Sequence, residues 1–136
     1  MKIILDTNVF ISGIFFAGPP SQILKAWENQ RLQIVLSSQI LSEYQRVAAE
    51  LSSKYKTVNI TPVIDLITIH SEFIDTQGIN ISVCEDPDDN KFLECAVASN
   101  CRLIISGDKH LLKLTGYEKI NILNARTFLE KYLSRY

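Results

Sequence analysis

Two aspartates lie where carboxylates can do chemistry, each close behind a short apolar run. Asp6 directly follows the run at residues 3–5, and Asp108 comes shortly after the run at residues 103–105. If both runs are parallel strands, both carboxylates lie at the carboxyl edge of the sheet, where open α/β folds bind ligands. Taken singly, Asp6 can also be a helix cap, and Asp108 can belong to an ordinary Gly-Asp turn. Two such acids on one edge favour a functional site.

A second group of acids precedes a predicted helix whose apolar face begins at Phe92. Its members are Glu85, Asp86, Asp88 and Asp89. One of them is expected to cap the helix, because negative charge is favourable at a helix N-terminus. Crowded carboxylates repel one another, and a divalent cation is the simplest compensation where basic residues are few.

Glu43 is on a predicted helix that Ser37 and Ser38 can cap. The apolar stripe of that helix comprises Ile40, Tyr44, Val47 and Leu51. Glu43 borders this stripe instead of opposing it, so its side chain can be aimed at the sheet edge. A glutamate that faces solvent is the ordinary alternative at such a position.

These acids offer only oxygen ligands, which hard cations prefer. Mg²⁺ keeps several waters and takes one or two protein carboxylates, leaving room for a phosphate oxygen and a nucleophilic water. Phosphodiester hydrolysis follows from such a site. The chain has neither the glycine-rich loop of a P-loop nucleotide site nor a dinucleotide-binding fingerprint. An aspartyl phosphatase of the haloacid dehalogenase superfamily would carry a second aspartate where this chain has Asn8.

Strands alternating with helices must position these residues. The predicted strands are residues 3–5, 34–36, 103–105 and 120–122, and the predicted helices are residues 19–29, 38–51, 61–73, 90–97 and 125–133. Most of the strands are continuously apolar, as in a parallel sheet buried on both faces. The pattern predicts an α/β fold, a three-layer α/β/α sandwich with a central parallel sheet. Residues 52–59 are expected to form an exposed connection, and residues 79–83 are a strand or a loop.

Composition sets the limits for this chain. The chain has 136 residues, 46% of them hydrophobic, which predicts one domain over residues 1–136. No apolar run is long enough for a membrane span, so a cytoplasmic protein is expected. Cys84, Cys95 and Cys101 lack the spacing of a zinc site and are expected to be reduced structural thiols. His70 and His110 share no motif and are expected to be structural or surface residues.

Charge is distributed unevenly along the chain. Residues 69–100 hold seven acids and one basic residue, Lys91, whereas residues 101–136 hold seven Lys or Arg and three acids. An acidic site followed by a basic segment suits a protein that holds a cation and faces a polyanion. A solvated face of mixed charge explains the same distribution equally well.

Four motifs in this order resemble a PIN-domain nuclease, and specifically the VapC-like PIN-family toxins of bacterial and archaeal toxin–antitoxin systems. The motifs are Ile4-Leu5-Asp6-Thr7-Asn8-Val9, Leu41-Ser42-Glu43-Tyr44, Asp86-Pro87-Asp88-Asp89-Asn90-Lys91-Phe92-Leu93 and Ser106-Gly107-Asp108. The resemblance covers nearly the whole chain. It implies a metal-dependent endoribonuclease with an α/β/α fold, a small antitoxin partner and a homodimer.

The resemblance also implies a Mg²⁺ or Mn²⁺ site and its residues. By motif position the acids are Asp6, Glu43, Asp89 and Asp108, with Asn8 and Ser106 as supporting polar residues. Asp89 is preferred to Asp88 because the family's acid precedes an aromatic residue by three positions. We expect Asp6, Asp89 and Asp108 to serve the metal, and Lys91, Lys109 and Lys113 to be phosphate contacts unless they only form surface ion pairs. Two other functions are open: a PIN-like module that binds RNA or protein without catalysis, and a structure-specific DNA nuclease.

Overall fold

A five-stranded, wholly parallel sheet forms the centre of the fold, in a computed structural model that describes residues 1–133. Its strands are β1 (Lys2–Leu5), β2 (Gln33–Leu36), β3 (Glu72–Phe73), β4 (Leu103–Ile105) and β5 (Asn121–Leu123). They lie in the order β3-β2-β1-β4-β5, and every neighbouring pair is parallel. The four strands predicted from apolar runs are therefore confirmed.

The chain changes direction across the sheet at β1. After β1 it builds β2 and β3 on one side, then crosses over to form β4 and β5 on the other. Leu5 pairs with Ile105, so β1 and β4 end side by side. The gap above such adjacent strand ends is the topological switch point, where open parallel sheets bind ligands.

Helices connect the strands and cover the sheet. Within residues 1–133 they are α1 (Thr7–Phe15), α2 (Pro19–Glu28), α3 (Ser38–Ser52), α4 (Thr61–His70), α5 (Asn90–Ser99), α6 (Lys109–Leu112) and α7 (Ala125–Phe128), the last continuing as a π-helical turn at Leu129–Leu133. Ile3, Ile4 and Leu5 are all fully buried although alternate side chains of a strand face opposite ways. Both faces of the sheet are therefore covered, and the three-layer α/β/α sandwich is confirmed.

An aromatic pair joins α1 and α3 to the end of β1. The rings of Phe10 and Tyr44 stack with centroids 4.1 Å apart, and both side chains are fully buried. The Tyr44 hydroxyl donates a hydrogen bond to the backbone carbonyl of Leu5. Ser37 caps α3 as predicted, since its hydroxyl accepts from the Ile40 amide at 3.3 Å. These contacts fix the start of both helices above the carboxyl end of β1.

The prediction of a helix over residues 61–73 is wrong at its C-terminal end. It stops at His70, and Glu72–Phe73 form the edge strand β3 beside β2. The backbone amide of Ile74 also donates to the carbonyl of Leu36, at 2.8 Å. The apolar helical pattern continues through residue 73. However, hydrogen bonding of residues 72–73 to the edge of β2 gives them a strand conformation. Residues 79–83 are a loop, and the exposed connection predicted at residues 52–59 begins after Ser52.

No helix within residues 1–133 is long and apolar enough to cross a membrane. The predicted free cysteines are confirmed: Cys84 is half-buried, and Cys95 and Cys101 are buried. Burial raises the pKa of the Cys95 thiol to about 12, so this thiol stays protonated at neutral pH. Both histidines are exposed, as expected.

The close packing of α1 on α2 depends on Gly13. A methyl group there would lie 2.7 Å from Leu24 Cδ1 and 2.9 Å from the backbone carbonyl oxygen of Pro20. We expect Gly13→Ala to lower the free energy of unfolding by about 1–3 kcal/mol, because the two helices must separate. Urea denaturation measures this loss. Gly107→Ala is the matched control, since its methyl group meets nothing within 4 Å, and a similar loss in both variants would contradict the packing argument.

Candidate active site

Asp6 is the buried carboxylate of the site. The residue is 6% exposed and follows β1 directly, with its amide hydrogen-bonded to the Ile105 carbonyl at 2.9 Å. It occupies the N-cap position of α1, yet its side chain makes no capping hydrogen bond. Its Oδ2 instead accepts from the Ser106 hydroxyl at 2.7 Å. The capping alternative therefore does not explain this side chain, which is turned toward β4.

Ser106 links Asp6 to Asp108. Its side chain is fully buried, and its Oγ also accepts from the Asp108 backbone amide at 3.0 Å. The half-buried Asp108 carboxylate caps α6 by accepting from the His110 amide at 2.8 Å. Asp108 is thus a helix cap and not part of an ordinary Gly-Asp turn, and its charge acts on Asp6.

Glu43 faces into the site, not into solvent. Its side chain is 16% exposed. One carboxylate oxygen accepts from the Thr7 hydroxyl, and the other lies 3.0 Å from the Lys91 ammonium. Since Thr7 is the neighbour of Asp6, its hydrogen bond places Glu43, on the second turn of α3, near the end of β1.

The acidic group at residues 85–89 divides into members with different surroundings. Asp86 caps a short 3-10 turn at Pro87–Asp89, accepting from the Asp88 amide at 3.0 Å, and the exposed Asp88 lies 3.3 Å from Lys91. Asp89 is half-buried at the start of α5 and its side chain makes no capping bond. Glu85 pairs with His110 at 2.6 Å on the surface. Asp89 is therefore the one acid of this group that is half-buried and neither caps a helix nor forms an ion pair within residues 1–133.

The electrostatics show that these carboxylates converge. Burial raises the pKa of Asp6, and the negative charges of Asp108 and Glu43 add to the rise, while the hydrogen bond from Ser106 opposes it. Burial and then the charges of Asp6, Asp86 and Asp108 raise the pKa of Asp89 from its ordinary 3.8 to about 6. Carboxylates that come from separate segments thus lie close enough for their charges to act on one another.

This donor set fits a hard divalent cation. All the donors are carboxylate oxygens, and the pKa values of Asp6 and Asp89 are raised first by burial and then by the negative charges around them. Within residues 1–133, no three acidic, histidine or cysteine side chains form a ready-made cage for a metal. Mg²⁺ needs no such cage, because it binds through one or two carboxylates and keeps several waters. Asp6, Asp89 and Asp108 are the residues that would hold it.

The predicted phosphate contacts differ in placement. Lys91 is directed inward and pairs with Glu43 and Asp88, with its side chain 11% exposed. Lys109 and Lys113 are exposed, and neither forms an ion pair with any residue in the described range. The basic segment of residues 101–136 ends beyond that range, so Arg135 lies outside the described residues. Asn8 is exposed on α1 next to the buried Thr7.

Sequence reasoning missed two residues that shape the site. Thr7 orients Glu43, and Tyr44 holds α3 on the end of β1. The sequence could have indicated a role for Thr7. It lies three residues before Phe10 on the buried stripe of α1, and a buried hydroxyl group needs a hydrogen-bond partner. Tyr44 was assigned to the apolar stripe of α3, and its hydroxyl gave no local indication of its acceptor 39 residues away.

Comparisons with known proteins bear on the family and the fold of the chain. Residues 2–110 match the family model of the PIN domain. An uncharacterized protein from Methanocaldococcus jannaschii is 31% identical, in an alignment that covers 97% of this chain and 92% of the relative. A chain in the crystal structure of VapBC2 from Rickettsia felis, bound to a DNA fragment from their promoter, has a similar fold. That match has a TM-score of 0.58 and 18% identity, and covers 91% of this chain and 98% of the other.

The raised pKa of Asp89 predicts that its charge destabilises the metal-free fold. Because the folded-state pKa of about 6 exceeds the ordinary 3.8, the penalty is fully present above pH 6 and disappears as the pH falls toward 4. We expect Asp89→Asn in EDTA at pH 7.5 to raise Tm by about 4 °C, after allowance for solvent screening. Thermal unfolding at a series of pH values measures the difference. A variant whose gain persists unchanged at pH 4 would contradict an electrostatic origin.

Proposed function

The chain belongs to the PIN domain family, and on this premise we propose that it is a Mg²⁺- or Mn²⁺-dependent endoribonuclease that hydrolyses RNA phosphodiester bonds. The observation that carries the proposal is the meeting of Asp6, Glu43, Asp89 and Asp108 at the switch point of the sheet. Such a set of oxygen ligands serves phosphoryl chemistry, in which charge develops on the phosphate oxygens.

Each acid has a role in this proposal. A divalent cation held by Asp6, Asp89 and Asp108 would supply Lewis acidity toward the scissile phosphate. Glu43 and Asp108 orient the attacking water and accept its proton. Ser106 keeps the Asp6 carboxylate turned toward β4 through the 2.7 Å hydrogen bond.

Exposed cations near the acids are proposed to bind the RNA backbone. Lys109 and Lys113 lie on and just after α6, the helix that Asp108 caps, and their ammonium groups have no carboxylate partner within residues 1–133. Lysine ammonium groups that approach phosphates release counter-ions, so binding weakens as salt rises.

The double variant Lys109→Gln/Lys113→Gln should therefore raise KM for RNA and make KM less dependent on salt concentration, with kcat little changed.

We also propose that the protein is the toxin of a toxin–antitoxin pair and acts in the cytoplasm. The support is the fold likeness to a chain of VapBC2, which is a complex, together with the four motifs that resemble such toxins. On this proposal a small antitoxin protein covers the acidic cleft, and the chain forms a homodimer. Selection of the RNA target would then depend on surface loops.

Cleavage assays with purified protein test the nuclease proposal. We expect single-stranded RNA to be cut with Mg²⁺ or Mn²⁺, and EDTA to stop the reaction. Asp6→Asn and Asp89→Asn should each lower kcat/KM by at least about 100-fold, because each removes a charge that would hold the cation. Both variants should keep the circular dichroism spectrum of the wild type. Full activity in either variant would refute the assignment of the site.

Two other functions give different results in the same assays. A PIN-like module that binds RNA or protein without catalysis would cut no substrate and need show no affinity for Mn²⁺ in calorimetry. A structure-specific DNA nuclease would cut branched DNA flaps in preference to single-stranded RNA. Side-by-side reactions on both substrates therefore separate the three functions.

Expression in a bacterial host tests the toxin proposal. Induction of the wild type should arrest growth, and Asp89→Asn should not, because the arrest requires cleavage. Co-expression of a short protein encoded by the adjacent gene should restore growth and form a complex that elutes as one species from a sizing column. Active nuclease without toxicity or a neighbouring partner would indicate a housekeeping enzyme.

A further inference from the structure

Lys91 is held inside the candidate site by contacts to two segments. Its Nζ lies 3.0 Å from Glu43 Oε1 on α3 and 3.3 Å from Asp88 Oδ2. It also donates to the Asp88 backbone carbonyl. An ammonium group has three donors and no acceptor, so these partners use its hydrogen-bonding capacity. The Lys91 charge is thus committed to the protein and is not displayed toward a ligand.

The position of Lys91 carries an electrostatic cost. It is the second residue of α5, and the positive end of the helix dipole disfavours a cation there. Its side chain is only 11% exposed, although a lysine at a helix start can extend into water. The attraction of Glu43 and Asp88 must offset both effects, so these carboxylates determine where the ammonium group lies.

This contact divides the acids of the cleft into two groups. Glu43 and Asp88 have a cation supplied by the protein, whereas Asp6, Asp89 and Asp108 have no ion pair with any residue in the described part of the chain. The Asp6 carboxylate is buried, and its hydrogen bonds come from neutral donors, the Ser106 hydroxyl and the Thr7 backbone amide. Only the second group therefore requires an external cation.

We propose that the Lys91 ammonium group is a built-in cation that takes the place of a second divalent ion, so that the domain binds one divalent ion, through Asp6, Asp89 and Asp108. Lys91 is then a positioning residue, which holds the Glu43 carboxylate in the cleft together with Thr7. The proposal rests on the proposed function in taking a divalent cation as the ligand of the remaining acids.

Calorimetric titration with Mn²⁺ tests the proposal on the full chain. The wild type should bind one Mn²⁺. Lys91→Gln should bind a second, at least about tenfold more weakly than the first because two divalent ions repel each other. Lys91→Arg keeps the charge and should again bind one. Adding Glu43→Gln to Lys91→Gln should abolish the second ion. Lys54→Gln is the matched control, because it removes one exposed positive charge just after the end of α3, and this variant should bind one Mn²⁺.

A second comparison needs no substitution of Lys91 and covers the case in which Lys91→Gln does not fold. Glu43→Gln should change the Kd of the first Mn²⁺ by less than about fivefold, whereas Asp6→Asn should weaken it by more than about tenfold. Two Mn²⁺ in the wild type, an unchanged stoichiometry in a folded Lys91→Gln, or equal losses in Glu43→Gln and Asp6→Asn would each overturn the proposal. Absence of Mn²⁺ binding in every protein would instead refute the metal-dependent function on which it rests.

Discussion

The parallel pairing of β1 with β4 is the constraint on which the site depends. Leu5 lies opposite Ile105, so the residues that follow each strand, Asp6 and Ser106, emerge side by side. Their hydrogen bond joins positions 100 residues apart in the chain and turns the buried carboxylate toward the β4 loop. A one-residue change of register would direct these side chains to opposite faces of the sheet and break the site.

The helices extend this constraint to the other acids. Tyr44 bonds to the Leu5 carbonyl and stacks on Phe10, so α3 starts above the end of β1 and carries Glu43 with it. α5 begins at the same edge and brings Asp89 and Lys91. The charges of these acids act on one another, and the pKa values of Asp6 and Asp89 are raised. A raised carboxylate pKa costs stability at neutral pH, the usual relation between a functional site and stability. We propose that a bound cation offsets this cost.

Charge balance within the cleft explains why its acids differ. Asp88 has a pKa below its ordinary value, chiefly because Lys91 lies beside it, whereas its neighbour Asp89 has a raised one. The two residues are adjacent and of one type, but Asp89 is half-buried and close to the charge of Asp6, whereas Asp88 is exposed and beside Lys91. The motif position that favours Asp89 over Asp88 in PIN-domain sequences thus agrees with a physical difference between the two carboxylates.

Four of the strands and the start of α3 at its Ser37 cap were predictable from the sequence, because apolar periodicity and caps are local properties. The candidate acids were identified by motif. Long-range contacts fix which strands are neighbours, the pairing of residues 72–73 with β2 in place of a longer helix, and the contact of Lys91 with Glu43, 48 residues away. Such contacts depend on the path of the chain through space, and a local pattern does not encode that path. From the sequence, Lys91 was expected to be a phosphate contact or to form a surface ion pair, whereas the fold turns it inward to Glu43.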